Sequence, residues 1–205
     1  MMPSPEKKVA SSRRQFLKKA SALGLTAGSS TLVGTVLGTA VSGHAYAAAS
    51  PELDPVASRR INLVNAHTWE KLSVVYYTHG IYIDENIAQL NHLMRDRRAN
   101  ATYDMDTALF DQLLRVQMAL GTDEAVHVLS GYRTPETNAK LRRRSPGVAK
   151  FSLHMEGRAA DIYIPNVPVE QLHQAAVDMK AGGVGLYSNS NFVHMDTGAY
   201  RHWGS

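Results

Sequence analysis

The segment SLHMEGRAADIYIP, Ser152 to Pro165, sets a histidine, a glycine and an aspartate directly ahead of an apolar run. Gly157 permits a sharp backbone turn. Beyond it, Asp161 to Ile164 reads as a strand opened by Asp161, with Ile162 and Ile164 on the face opposite the carboxylate. A second segment, NFVHMDTG (Asn191 to Gly198), alternates in the same way: His194 and Asp196 share one face, Val193 and Met195 the other. Two such strands side by side aim His154, Asp161 and His194 at one point. Three ligands of this type leave a zinc ion one open position, where it activates water and polarises a carbonyl, chemistry suited to amide hydrolysis. Taken singly, each residue has an ordinary use in a core or a turn. The intact order Ser-x-His-x-x-Gly-x-Ala-x-Asp, followed by His-x-Asp, is what sets them apart.

Working outward, VGLY (184–187) and NFVHMD (191–196) form a strand pair around the turn SNSN. PVEQLHQAAVDMKAGG reads as a helix ended by Gly182 and Gly183, and a short strand is expected near Tyr200 to Trp203. AVHVL is a strand, followed by a turn and a helix starting near Pro135. Upstream, Leu109, Leu113, Val116 and Leu120 make the stripe of a helix from about Asp106 to a stop at Gly121. Ile87, Leu90 and Met94 make that of another, with Asp84 as its N-cap. RRINLVNAHTWEKLSVVYY gives two strands around a turn near Thr68 to Lys71. The expected fold class is α+β: a small, mostly antiparallel sheet flanked by helices, in one domain over residues 59–205.

A chain of 205 residues with 44% hydrophobic content has room for one core and a tail. Its formal charge of +4 is unevenly placed. Residues 1–47 carry six Lys/Arg (Lys7, Lys8, Arg13, Arg14, Lys18, Lys19) against Glu6, leaving 16 basic and 17 acidic groups elsewhere. The basic signal therefore belongs to the leader, and no nucleic-acid partner is expected. SSRRQFLKK, the Gly/Ala/Ser/Thr-rich run Ala20 to Val41, and HAYAAAS have the order of a twin-arginine signal peptide with Ala45-x-Ala47 before the cleavage point. The run is about long enough for a membrane anchor, but its small and hydroxylated residues suit lipid poorly. Residues 1–47 are thus expected to be removed, 48–58 to be a linker, and the product to reach the periplasm without a permanent membrane span. The absence of cysteine rules out disulfides and thiolate nucleophiles, hence an L,D-transpeptidase. The mature chain also lacks Ser-x-x-Lys, Gly-x-Ser-x-Gly, His-Glu-x-x-His and a Walker loop. No heptad or exposed apolar stripe suggests assembly, so a monomer is expected.

SGYRTPETNAKLRRRSPGVAKFSLHMEGRAADI together with GGVGLYSNSNFVHMDTG closely resembles the zinc murein peptidases of the D-Ala-D-Ala metallopeptidase, lysostaphin and hedgehog fold group. Within that group it is most similar to murein endopeptidases of the MepK type, from about Arg60 to Trp203. The resemblance implies a hedgehog or D-Ala-D-Ala peptidase-like sheet, one Zn2+ per chain on His154, Asp161 and His194, and the stem peptides of peptidoglycan as substrate. It implies cleavage of their cross-links. The alternatives are a D,D- or L,D-carboxypeptidase, or a non-catalytic module that keeps the metal site while binding peptidoglycan or a partner, as the hedgehog branch does.

By the same resemblance Arg133, in SGYR, approaches the substrate near the metal, where a fixed cation stabilises an oxyanion or holds a carboxylate; its alternative is a salt bridge that pins the turn. Ser152 is expected to hydrogen-bond a ligand or the substrate, and Tyr132, Trp69, Tyr187 and Trp203 to line a cleft or to pack in the core. Many members of the wider group place a carboxylate three residues before the second histidine as general base; here that position is Asn191. Asp196 is the nearest replacement, either as the base or as the group that orients His194 through its other ring nitrogen. His127 reads as a core or sheet-face residue. Glu170, His173 and the run Arg142 to Arg144 read as solvated faces, the last able to attract acidic groups of peptidoglycan.

Overall fold

A computed structural model describes residues 51–145 and 147–204. The expected signal peptide over 1–47 and the first residues of the expected linker lie outside the described residues. The rest of that linker runs against the domain: Pro51 O accepts from Arg115 Nε at 2.9 Å and Pro55 O from the Tyr77 hydroxyl at 2.5 Å.

The first strands, β1 (Arg59–Asn65), β2 (Lys71–Thr78) and β3 (Ile81–Tyr82), lead into helices α1 (Asp84–Leu93) and α2 (Thr107–Leu120). Strand β4 (Val126–Ser130) and helix α3 (Pro135–Arg144) follow, then a 3-10 turn over Leu153–Glu156 and strand β5 (Ala159–Tyr163). The chain ends with helix α4 (Val169–Asp178) and strands β6 (Gly183–Tyr187), β7 (Phe192–Asp196) and β8 (Arg201–Trp203). The α+β class is as the sequence indicates. The sheet is not small and mostly antiparallel but an eight-stranded mixed sheet in the order β3-β2-β1-β4-β5-β7-β6-β8. Two pairings, β1 with β4 and β6 with β8, are parallel. The first needs a long crossover, which β2, β3, α1 and α2 supply.

Alternation along the strands divides their residues between two faces. Ile61, Leu63, Val126, Val128, Ala160, Ile162, Val193 and Met195 are buried in one core with Leu90, Leu109, Phe110, Leu113, Val116 and Leu172 from α1, α2 and α4. Burying each of the larger side chains stabilises the fold by roughly 1.5–3 kcal/mol. Asp111 of α2 ties this layer to the sheet, accepting from Tyr76 Oη at 2.7 Å, Tyr82 Oη at 3.0 Å and Arg59 at 2.8 Å. The opposite face of β5 and β7 carries Asp161, His194 and Asp196.

Helix ends follow local chemistry. The Asp106 side chain caps α2 by accepting from Ala108 N at 3.0 Å, and Gly121 ends that helix in the left-handed region at φ 60°. Asp84 is not a cap: Ile83 holds that place, and Asp84 is the first helical residue, where an acid suits the helix dipole. Helix α4 stops at Asp178, before Gly182 and Gly183, whose role lies elsewhere.

Gly157 closes the 3-10 turn at φ 68°, and its carbonyl accepts from Asp106 N at 2.9 Å. A Cβ there would lie 2.6 Å from Asp104 O. Gly157→Ala is therefore expected to cost about 2 kcal/mol or more, from left-handed strain plus overlap. In a domain of this size that lowers the melting temperature by on the order of 4–8 °C in a thermal denaturation scan.

Candidate metal centre

The site is built from a row of residues running across five strands. Ser130 of β4 stands opposite Asp161 of β5, Asp161 opposite His194 of β7, His194 opposite Gly185 of β6, and Gly185 opposite Trp203 of β8. His154 comes from the 3-10 turn rather than from a strand. It is anchored by a reciprocal pair: its Nδ1 donates to Gly131 O at 2.7 Å, and Arg133 N donates to His154 O at 3.0 Å.

The donor atoms converge. His154 Nε2 lies 3.2 Å from Asp161 Oδ1 and 3.3 Å from His194 Nδ1, and His194 Nδ1 lies 2.9 Å from Asp161 Oδ1. A tetrahedral ion with bonds of about 2.0–2.2 Å sets its ligand atoms roughly 3.3–3.6 Å apart, close to this triangle. The ring tautomers fit as well. A carbonyl can only accept, so Nδ1 of His154 carries its proton and Nε2 presents a lone pair. His194 Nε2 donates to Asp196 Oδ2 at 3.0 Å, leaving Nδ1 for the centre. Two lone pairs and a carboxylate oxygen facing each other at these distances call for a shared positive charge.

Burial lowers the pKa of His154. Burial acts the same way on His194, but hydrogen bonds to Asp161 and Asp196 outweigh it and raise the pKa. For Asp161, burial is outweighed by His154, His194 and Arg133, which hold the carboxyl well below the usual carboxylate range. A metal held here would compete with protons for the same donor atoms.

Outer partners fix the ligands. Arg133 pairs through one guanidinium nitrogen with Asp161 Oδ2 and donates from Nε to Ser130 Oγ at 2.7 Å, so Oδ1 is the oxygen turned to the centre. Arg133 is thus engaged in a salt bridge, and it is also among the residues that line the cleft. Asp196 is fully buried and accepts from His194, from Gly183 N at 3.0 Å, from Gly198 N at 2.9 Å and from Arg201 at 2.7 and 3.1 Å. Burial works against its ionisation, but these donors hold its pKa far below the usual carboxylate range. Of the two roles open to Asp196, this geometry fits the one that orients His194 and not that of a proton acceptor.

Gly183, read from the sequence as part of the stop of α4, and Gly185 make room for this shell. A Cβ on Gly183 would overlap Asp196 Oδ2 and Arg201, and a Cβ on Gly185 would overlap the Trp203 indole. The parts that Arg201, Gly183 and Gly185 play at the site escaped the sequence reading. The detectable signal was two glycines two residues apart, on the strand that pairs with His194 and Asp196.

Among the other expected residues, Ser152 is buried and lines the same cleft of about 510 Å3, as do Tyr187 and Trp203. Tyr132 does not line it: its ring stacks on Tyr103, with centroids 4.6 Å apart. The backbone explains why, since Tyr132 N is drawn to Met94 O at 2.8 Å, at the end of α1. Asn191 is an exposed turn residue at φ 52°, a conformation asparagine tolerates better than most residues, and it too lies outside the cleft lining. His127 sits on the sheet face, 4.8 Å from the Tyr163 ring. Trp69 is exposed beside it. Among the described residues no helix is long and apolar enough to cross a membrane.

The family model for Peptidoglycan L,D-endopeptidase MepK matches residues 54–203. The chain belongs to this family. Members from Escherichia coli strain K12 and Shigella flexneri, both named peptidoglycan L,D-endopeptidase MepK, are 48% identical over 145 residues, covering 71% of this chain and 80% of theirs. One from Haemophilus influenzae, named probable peptidoglycan L,D-endopeptidase MepK, is 40% identical over 146 residues, covering 71% of this chain and 78% of its own. MepK-family membership makes the chain a peptidase, in agreement with the resemblance read from the motifs, and the triad His154, Asp161 and His194 lies within the matched region.

The geometry predicts how the outer shell behaves. Asp196→Asn should weaken divalent-metal affinity by about 10–100-fold, measured by competition with a chelator, with Arg201→Met shifting it in the same direction by less. Unchanged affinity in Asp196→Asn would show that Asp196 does not hold His194 for the metal.

Proposed function

We propose that this chain is a zinc-dependent peptidoglycan endopeptidase that cuts amide bonds in the cross-links between stem peptides. The observation that carries the reading is the convergence of His154 Nε2, His194 Nδ1 and Asp161 Oδ1, with both imidazoles already held in metal-binding tautomers. The names of the relatives support the substrate and the L,D-endopeptidase specificity. The twin-arginine-like leader supports export and action in the periplasm.

His154, Asp161 and His194 would hold one zinc ion. Bound there, zinc supplies Lewis-acid polarisation of the scissile carbonyl and acidification of water. Arg133 does two things: it occupies Asp161 Oδ2, so that Oδ1 alone turns to the centre, and it places a fixed cation at the cleft where negative charge develops on the carbonyl oxygen. Asp196 keeps the His194 proton on Nε2 and takes no proton itself. Asp161 and Asp196 are the carboxylates that line the cleft among the described residues, and both are engaged. The missing acid at Asn191 is therefore not replaced by another free carboxylate, and turnover rests on the metal and Arg133.

Metal analysis paired with mass spectrometry of digested sacculi tests the reading. We expect about one zinc per chain, conversion of cross-linked muropeptide dimers to monomers, loss of that activity with chelator and its return with zinc. His154→Ala and His194→Ala should lose both zinc and activity. A zinc-loaded chain that sediments with sacculi yet releases no new muropeptides would instead establish a binding module.

A further inference from the structure

Beyond that row, the same sheet face carries another, in which Tyr187 of β6 pairs with Phe192 of β7. Their rings stack with centroids 4.5 Å apart at 12°. Trp203 extends this surface: its indole Nε1 donates to Tyr187 Oη at 3.4 Å, and its ring centroid lies 5.4 Å from that of His194. The aromatic wall is thus continuous with a metal ligand. On the loop leading into the 3-10 turn stands Phe151, which is 82% exposed and lines the same cleft. A single exposed apolar residue is ordinary on a protein surface. Phe151 differs because it is three residues from His154 and shares one cavity with all three donors.

The charge of the cleft narrows its occupant. Its two carboxylates are neutralised within the site, Asp161 by Arg133 and Asp196 by Arg201. Lys150 adds a cation beside Phe151, with Nζ 5.3 Å from the ring centroid. An aromatic-walled cleft with surplus positive charge fits an extended peptide bearing free carboxylates and aliphatic arms, because rigid rings give contact area at low entropy cost.

We infer that Phe151 and the stacked Tyr187–Phe192 pair are the substrate-gripping residues, holding the stem peptide within the cleft so that its scissile amide faces the three donors. The inference rests on the endopeptidase reading for the identity of the peptide, but not for the existence of the grip.

The test uses the full chain and a purified cross-linked muropeptide dimer. Phe151→Ala should raise KM by about fivefold or more while kcat, zinc content and melting temperature stay near wild type. Phe151→Tyr should restore KM, and Tyr187→Ala should raise it as well. An unchanged KM in Phe151→Ala, or a loss confined to kcat, overturns the inference. Binding of the same dimer to the metal-stripped chain, followed by tryptophan fluorescence, separates this claim from the endopeptidase claim. If the zinc-loaded wild type leaves the dimer uncut, the endopeptidase reading fails, and about fivefold weaker binding by metal-stripped Phe151→Ala than by metal-stripped wild type still upholds the grip, whereas equal binding overturns it. Absence of binding by the wild type overturns it too.

Discussion

The antiparallel register that sets Asp161 opposite His194 governs everything else in this molecule. A slip of one residue would turn His194 into the core and bring Val193 to the cleft. That slip is prevented from the other face of the same strands, where Ala160, Ile162, Val193 and Met195 are buried against the helices. Hydrophobic burial and the placing of the donor side chains are two consequences of one pairing. The core therefore does more than stabilise the fold, since it fixes which atoms face each other at the site.

Around that pairing the site is held by groups that never touch the reacting atoms. The Gly131 carbonyl sets the tautomer of His154, Asp196 sets that of His194, and Arg201 and two backbone N–H groups hold Asp196. Such outer contacts raise ligand basicity and remove rotational freedom before a metal arrives. A metal at this centre would compete with protons for the same donor atoms. The glycines of β6 belong to this shell as spacers: side chains at 183 and 185 would displace Arg201 and Trp203.

Much of this was legible in the sequence, for identifiable reasons. Helices with a full apolar stripe, such as the one carrying Leu109, Leu113 and Val116, announce themselves because burial and periodicity agree. The three donors were legible because alternation on β7 and the turn at Gly157 are local features. Strand order was not, because the parallel pairings of β1 with β4 and β6 with β8 join segments whose patterns do not mention each other. The end of α4 was misread because Gly182 and Gly183 look like a helix stop, although their lack of side chains answers to Asp196 and Arg201 across the sheet. Tyr132 adjoins Arg133 in sequence, yet its backbone bond to Met94 and its stack on Tyr103 carry it elsewhere. The part played by Asp196 stayed open in the sequence because one spacing serves a base and an orienting group alike. Only its five donors separate them.

The most direct test of the central claim is anomalous diffraction at the zinc edge from crystals of the zinc-loaded chain. The account predicts one strong peak, bonded to His154 Nε2, to His194 through Nδ1 and to Asp161 Oδ1. A peak bonded to His194 through Nε2, or one away from these three side chains, would contradict it.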